Sequence, residues 1–315
     1  MNAGGGETFD MKRDKVRILG VVLACACVAV PGRAQSVTSD AAPPSADQSQ
    51  SAAAMAQKAT NPFSSAWLLQ MQQNNNWTDM PPGHGDRMQS NLLFQPLVNM
   101  KLTDQWGLYL RPVLTTVNSL PRIDQNGHSD RTAGFGDTVF GIAAAHPLFG
   151  GRMMLGAGPT FIFPTASQRA LGQDTWQVGP DVGATLLGEH FIAYGFVQQW
   201  FKAGGDGAKT SQMNGVFNYT YSFQNGWTIG TQPSLAVNWE ASDDRAAFSI
   251  GPQVGKLCTC GGLPTLVQAQ FQFYPVSPSV GGPKWNLQLQ VTPTIPALIK
   301  KTLFERRPAV GSALR

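Results

Sequence analysis

The sequence predicts an all-β protein, an antiparallel transmembrane β-barrel of about twelve strands. First, only 13% of the 315 residues are charged and 42% are apolar, whereas about a quarter of the residues of a soluble protein carry charge. Second, beyond the N-terminal region no apolar run reaches the roughly 18 residues that a transmembrane helix needs. Third, polar and apolar residues alternate in short segments, which is how a membrane barrel distributes its hydrophobicity.

The N-terminus has the pattern of an export signal. Basic residues precede an apolar core that runs from Ile18 to Val30, as in a secretory signal peptide. We therefore predict a signal peptide over residues 1–34, with the true start at Met11 and cleavage before Gln35. A lipoprotein with Cys25 lipidated stays open, although the apolar core ahead of Cys25 would be very short.

Three further regions follow the predicted signal peptide. Residues 35–62 are rich in Ala, Ser, Gln and Pro and lack apolar periodicity, so they cannot bury enough surface to offset the entropy of ordering. We predict a disordered periplasmic lead there. The barrel is expected over 63–296, and residues 297–315 form a C-terminal tail.

The pattern is clearest from Trp285 to Thr292, where apolar and polar residues alternate without a break. Successive side chains of a strand point to opposite faces, so this segment has one apolar and one polar face. Twelve such segments are predicted, each long enough to cross a bilayer with tilt. The others are 63–73, 89–101, 105–116, 134–146, 151–163, 176–186, 190–202, 217–223, 227–239, 248–255 and 267–273.

Connections between these segments alternate in length, which independently favours a barrel. Outer-membrane barrels have short periplasmic turns and longer external loops. With a periplasmic N-terminus, the long connections fall outside, and an even number of strands returns the C-terminus to the periplasm. The long polar connections are 74–88, 118–131, 166–174, 203–211 and 275–284.

Seven prolines fall inside the predicted strands, although proline cannot donate to the hydrogen-bond ladder of a central strand. All seven lie in the apolar phase. We interpret them as one repeated bend or bulge rather than as failed strands. They are Pro96, Pro112, Pro159, Pro180, Pro233, Pro252 and Pro293.

The polar phase of the strands is expected to face the lumen and is rich in amides. It holds no ring of one charge sign, which is the feature that selects ions. These side chains either fill the barrel by bonding to one another or line a narrow pore, since twelve strands lie between the filled and the open barrel sizes. The candidate lumen-lining residues are Gln95, Arg111, Asp137, Gln177, Asp181, Gln232, Gln253, Gln268, Gln270, Gln272, Gln288 and Gln290.

The sequence offers little for catalysis, so we predict no enzyme activity, no metal and no cofactor. No pair among the four histidines has metal-ligand spacing. A barrel lipid hydrolase needs a Ser–His pair, and no serine has a distinctive setting near His146 or His190. The net charge of +4 forms no basic stripe with interleaved aromatics, so a nucleic-acid partner is not expected.

Cys258 and Cys260 fall in a predicted periplasmic turn. Because the periplasm is oxidising, the two cysteines can form a disulfide with each other. A reduced pair stays open as the alternative. Strand geometry would hold the two Cα atoms near the upper limit for a disulfide, so the turn would have to tighten.

Three motifs carry a resemblance to a known family. They are G-x-G-D at Gly134–Asp137, G-P-x-x-x-F-P-T at Gly158–Thr165 and L-G-x-x-x-W-x-x-G-P at Leu171–Pro180. Over roughly 61–296 the chain resembles the outer-membrane family named for the MetA pathway of phenol degradation. The resemblance implies an outer-membrane barrel that transports small molecules such as aromatic compounds. The chain departs from the usual barrel pattern because it continues past the last strand as Ala297–Arg315.

Together these observations favour a passive channel or transporter for small neutral or aromatic solutes in the outer membrane of a Gram-negative bacterium. Two alternatives stay open: a structural or adhesive barrel without transport, and a barrel lipid hydrolase. The expected partners are outer-membrane lipid, the barrel-assembly machinery and a small-molecule solute. The oligomeric state is left open.

Overall fold

The computed structural model describes residues 51–80, 85–123, 128–299 and 302–303. These residues form one α-helix, α1 (Ala52–Thr60), and fifteen β segments. The segments are β1 (Trp67–Asp79), β2 (Asp86–Lys101), β3 (Gly107–Ile123), β4 (Ser129–Gly134), β5 (Thr138–Leu148), β6 (Met153–Phe163), β7 (Trp176–Leu187), β8 (Phe191–Gly204), β9 (Ser211–Ser222), β10 (Trp227–Thr231), β11 (Ser234–Asn238), β12 (Ala246–Ile250), β13 (Pro252–Cys260), β14 (Leu263–Val276) and β15 (Pro283–Ile295).

The segments close into a single antiparallel barrel, because β1 pairs with both β2 and β15. Three barrel strands are each split in two. β3 pairs with both β4 and β5, β9 pairs with both β10 and β11, and β14 pairs with both β12 and β13. The described residues therefore build twelve barrel strands, which confirms the predicted fold. Among the described residues each of the twelve barrel strands has a neighbour on both sides, although the segment β4 at its far end pairs with β3 alone.

The barrel is polar inside and apolar outside. On β14 the side chain of Gln270 is 2% exposed, whereas that of its neighbour Phe271 is 46% exposed. Across the ladder Gln270 pairs with Gln288, and Phe271 pairs with Leu287. The alternation seen in the sequence thus becomes an amide-rich interior and an apolar outer face, the arrangement of a barrel surrounded by lipid.

The two ends of the barrel differ. Both ends of the barrel chain, Trp67 and Ile295, lie at one end. We call it the turn end, and its connections are 102–106, 149–152, 188–190, 223–226 and 261–262. We call the opposite end the loop end, and its connections are 80–85, 124–128, 164–175, 205–210, 239–245 and 277–282. The longer connections therefore gather at one end, as the sequence predicts.

Strand boundaries correct the prediction at the loop end. The first strand spans 67–79 rather than 63–73, and much of the predicted loop 74–88 is strand. Asn74 still pairs with Asn91, and Thr78 with Arg87. Backbone pairing continues there although Trp77 is the one apolar residue from Asn74 to Asp79, so regular apolar alternation ends before the strand does.

The prolines mark breaks in the ladder, several of them next to glycine. Pro159 pairs with Pro180, and the neighbouring ladders skip the Gly-Pro steps at 158–159 and 179–180. A Cβ on Gly158 would overlap the carbonyl oxygen of Ile142, and the same holds for Gly179 and the carbonyl of Gln199. The strands bend together closely at these steps, which only glycine permits.

Helix α1 corrects part of the predicted lead. Residues 52–60 are ordered, whereas residues 35–50, the signal peptide and most of the C-terminal tail lie outside the described residues. α1 contacts β8, β9, β10, β13, β14 and β15, so it lies across the lumen at the turn end. Alanine methyls, rather than large side chains, fill the narrow space between α1 and the barrel. The sequence of α1 therefore shows no stripe of large apolar residues. No helix in the described part of the chain is long and apolar enough to cross a membrane.

Candidate functional site

Inward-facing amides of β14 and β15 form a continuous surface, which we call the amide wall. Gln290 Nε2 donates to Gln268 Oε1 at 3.3 Å, and Asn286 Nδ2 donates to Gln272 Oε1 at 2.9 Å. Each amide has both donors and an acceptor, so neighbours can satisfy one another in a buried setting. The amide wall consists of Gln268, Gln270, Gln272, Asn286, Gln288 and Gln290, all buried.

Gln232 connects the amide wall to the opposite side of the lumen. It lies at the break between β10 and β11, next to Pro233. Its backbone carbonyl accepts from Nε2 of Gln270 at 3.1 Å and from Nε2 of Gln272 at 3.0 Å. Its own Nε2 donates to the hydroxyl of Tyr194 on β8 at 2.8 Å. The break thus frees a carbonyl from the ladder, and lumen glutamines provide the missing donors.

The opposite side of the lumen carries two charges among aromatic rings. Arg111 Nη2 donates to Gln95 Oε1 at 2.6 Å, and its guanidinium carbon lies 4.8 Å from the centroid of the Phe196 ring. Asp181 Oδ2 accepts from Gln198 Nε2 at 2.9 Å. Both charges are therefore held by uncharged amides. We call this surface the cavity wall, and its members are Tyr109, Arg111, Asp181 and Phe196.

A cavity of about 60 Å³ lies against the cavity wall. Glycines at 141, 183 and 195 face it and leave room that larger side chains would fill. Phe63, from the segment ahead of β1, forms its other side and meets Tyr109 edge-on with ring centroids 5.0 Å apart. Space, aromatic rings and the two charges thus converge at one place.

Residues 51–66 enter the lumen from the turn end, and we call them the plug. Their helix buries Ala53, Ala56 and Ala59, each at most 1% exposed, which we call the alanine face. Gln57 Nε2 donates to the carbonyls of Gly188 and Glu189 at 3.2 and 3.0 Å.

Beyond α1, the plug runs along the inner wall. Asn99 Nδ2 donates to the carbonyls of Ser64 and Ala66, and the Tyr109 hydroxyl donates to the carbonyl of Phe63 at 3.3 Å. The plug therefore restricts the lumen from the turn end to the cavity.

Loop 164–175 narrows the loop end. The Asp137 carboxylate accepts from the backbone amides of Ala166 at 3.1 Å and Gln173 at 2.8 Å. Leu171 of the same loop is buried, and it lines a vestibule of about 330 Å³ together with Asp137. Two backbone amides that donate charge-assisted hydrogen bonds to one carboxylate fix the loop in this position.

Two histidines near the turn end each contact a neighbouring polar group. His146 Nδ1 bonds to the carbonyl of Gln105 at 3.0 Å, and His190 lies 3.7 Å from the Glu189 carboxylate. Within the described ranges, no cluster of three His, Cys, Asp or Glu side chains could hold a metal ion. The lumen offers amides, rings and two single charges.

No family model matches the sequence, and no curated protein matches it. The chain is similar in structure to the COG4313 outer membrane channel from Pseudomonas putida F1, with a TM-score of 0.58 and 19% identity over 73% of this chain and 95% of that one. At this identity the likeness concerns the fold. The NanC porin is less similar in structure, with a TM-score of 0.47 and 10% identity over 72% of this chain and 98% of that one.

The structure places the candidate lumen residues in three groups. Gln95, Arg111 and Asp181 lie at the cavity wall, whereas the amide wall and Gln232 lie across from it. Gln253 is buried beside them and accepts from Asn218 Nδ2 at 3.4 Å. Asp137 holds loop 164–175. Gln177 also lies at this end and receives a bond from Gln212 Nε2 at 2.9 Å. That these residues line a solute path stays a prediction.

Cys258 and Cys260 lie on β13 rather than in a turn. The turn itself is the glycine pair 261–262. The two Sγ atoms are 3.9 Å apart, within hydrogen-bond distance for sulfur, and the disulfide stays a prediction.

Sequence reasoning missed the aromatic residues of the lumen. It assigned the apolar phase to lipid, yet Tyr109, Tyr194 and Phe196 face inward. The available signal was the strand phase of β8. Gln198 has the same parity as Phe196, so an inward Gln198 requires an inward Phe196.

Proposed function

We propose that this protein is a passive channel for small neutral or weakly polar solutes, aromatic compounds included, in the outer membrane of a Gram-negative bacterium. The observation that carries the proposal is the closed barrel with an apolar outer face and an amide-lined lumen. Such a lumen offers hydrogen bonds to uncharged solutes, and no ring of one charge sign is present among the described residues to select ions. The motifs at 134–137 and 158–180 support membership in the MetA-pathway family.

Barrel orientation follows from the connections. We place the turn end in the periplasm and the loop end outside, because external loops are the longer ones in this class. A solute would then enter the vestibule beneath loop 164–175, pass Gln232 and the cavity wall, and leave at the plug. Outer-membrane lipid and the barrel-assembly machinery are the partners that this placement requires.

Liposome swelling tests the proposal. Purified barrel in liposomes is exposed to neutral polyols of increasing size and to phenol, and swelling should be fastest for the smallest polyols and for phenol. Empty liposomes and heat-unfolded protein are the controls, and heat-modifiable gel mobility verifies folding. Folded protein that admits none of these solutes, with the plug present or deleted, contradicts the channel.

A structural or adhesive barrel is the second candidate, and one observation favours it. The amide wall and Gln232 are bonded to each other, so they could serve only to fill the lumen. The same swelling assay separates the two functions, because a filled barrel admits no solute.

A further inference from the structure

We propose that the plug, residues 51–66, is displaceable: it closes the turn end in this structure and leaves the lumen to open the channel. The proposal rests on the proposed function as a channel and adds the regulation of that same lumen. It depends on an apolar floor that attracts the plug, on polar groups that the plug leaves unsatisfied, and on a helix that is too short to be stable in isolation.

The floor beneath α1 differs from the rest of the lumen. Ile192 on β8 and Leu266 on β14, two strands that α1 contacts, are completely buried at the turn end, at 0% exposure. Inward positions at mid-barrel are amides on the amide wall and glycines and rings on the cavity wall, whereas large aliphatic side chains occur at the turn end, where the alanine face lies. Removing this apolar surface from water favours docking of the plug. The barrel therefore provides a seat for the plug.

The same seat contains polar groups that the plug does not satisfy. The Ser222 and Thr228 hydroxyls, Gln268 Nε2 and the Thr294 hydroxyl are buried and have no hydrogen-bond partner among the described residues. They belong to β9, β10, β14 and β15, all of which α1 contacts. The methyl groups of the alanine face can neither donate nor accept, and leaving a buried polar group unpaired costs its full desolvation penalty.

Ser222, Thr228 and Gln268 lie close together near the start of the helix. Ser222 pairs with Thr228 across the ladder. A Cβ on Gly255 would lie 2.5 Å from Thr228 Oγ1 and 2.8 Å from Gln268 Cγ, so these two side chains flank one glycine. A Cβ on Gly226, in the adjacent turn, would lie 3.5 Å from Ala52 Cβ. Water that enters when α1 leaves would hydrate the whole group at once.

The helix adds little stability of its own. It has nine residues and no acidic residue in its first turn, and isolated helices below about 12–15 residues are marginal in water. Gln57 provides its side-chain hydrogen bonds to the barrel, and both bonds are exposed to solvent. Attraction by the floor and the cost of the unsatisfied groups oppose each other, so the docked and released states are close in free energy.

Hydrogen exchange of the folded, full-length mature protein tests this balance without relying on transport. Amides of α1 should exchange faster than those of β14. Thr228→Val replaces the unsatisfied hydroxyl by a methyl of similar shape and should slow exchange of α1 about tenfold, which corresponds to about 1.4 kcal/mol. The matched control is Thr220→Val on β9, whose hydroxyl already donates to Asn218 Oδ1 at 2.8 Å. Unchanged or faster exchange of α1 in Thr228→Val overturns the proposal.

A disulfide that holds the plug in place connects it to conductance. Ala52→Cys with Gly226→Cys places the two Cβ atoms about 3.5 Å apart, within disulfide range. Cys258 and Cys260 are changed to Ser in this background. Gly226 has a positive φ of 81°, so Gly226→Cys alone measures the strain. The oxidised pair should conduct about tenfold less than the reduced pair, which corresponds to about 1.4 kcal/mol.

The two experiments separate the proposals. Equal conductance of the oxidised and reduced forms overturns the plug, while the channel function stands. A folded variant lacking residues 51–66 that does not conduct overturns the channel, and the exchange comparison of Thr228→Val with Thr220→Val then decides whether the plug is displaceable.

Discussion

The amide wall and the cavity wall line the same lumen with different chemistry. The amide wall has no charge and little space, and its side chains bond to one another and to Gln232. The cavity wall carries Arg111 and Asp181 between aromatic rings, beside glycines that leave a cavity of about 60 Å³. One side of the barrel is thus a rigid, neutral surface, and the other side has both space and charge.

This difference locates where solute selection would occur. The bonded amides resist rearrangement, because breaking one of their hydrogen bonds leaves a buried partner unpaired. The cavity wall has room, and Phe63 of the plug closes it. We therefore expect substitutions in the amide wall to change stability and substitutions in the cavity wall to change selectivity.

The largest expected effect tests the face assignment of the amide wall. Phe271→Arg should strongly impair folding, because an arginine facing the bilayer midplane costs about 2–4 kcal/mol. Gln270→Arg, one residue away, faces the lumen and should be tolerated better, although the new side chain must displace the bond from Gln270 to Gln232. The measurement is folded yield by heat-modifiable mobility. Equal yields, or a lower yield for Gln270→Arg, would mean that the lipid and lumen faces are assigned wrongly.

Much of this fold could be predicted from the sequence, and the limits have physical causes. Period-two alternation identified β14 and β15 because one face meets lipid and the other meets polar side chains. It failed from Asn74 to Asp79, where Trp77 is the one apolar residue and polar side chains occur on both faces. It also missed α1, because a helix of alanines has no apolar periodicity. The position of Gln232 depends on a break at Pro233, and the partners it meets there come from distant strands.

A second test concerns the stability of the amide wall. Gln272 donates to the carbonyl of Gln232 and to Ser249, and it accepts from Asn286. Gln272→Ala should lower the free energy of unfolding by about 1–3 kcal/mol, because the buried side chains of Ser249 and Asn286 each lose a hydrogen bond. Gln288→Ala is the matched control, since the bond from Gln288 to Gln232 Oε1 is long at 3.5 Å. Urea titration of both variants in the same detergent measures the difference, and similar losses would mean that the network is not the source of stability.

A third test addresses charge at the cavity wall in the variant that lacks residues 51–66. Asp181→Asn leaves Arg111 as the single charge of this wall and should shift permeability toward anions. Arg111→Gln should shift it toward cations. A unit charge at about 4 Å in water is worth about 1 kcal/mol, so each permeability ratio should change about fivefold. Reversal potentials in a salt gradient report the sign, and shifts in the same direction for both variants would contradict a path along this wall.

The smallest expected effect concerns two loops above the amide wall. Asp244 Oδ2 accepts from the backbone amide of Ser279 at 2.9 Å and from its hydroxyl at 2.5 Å. These bonds, the hydroxyl first, lower the pKa of Asp244 below its ordinary value. A carboxyl with a lowered pKa contributes stability above its ordinary pKa and loses it as pH falls through the lowered pKa. The protection of the Ser279 amide, corrected for intrinsic exchange, should therefore exceed that in Asp244→Asn at neutral pH. The two should converge in strong acid, and because the site is exposed the difference should be small and confined to 239–245 and 277–282. A difference that persists unchanged below the pKa range of carboxyls would mean that the loops are joined by other contacts.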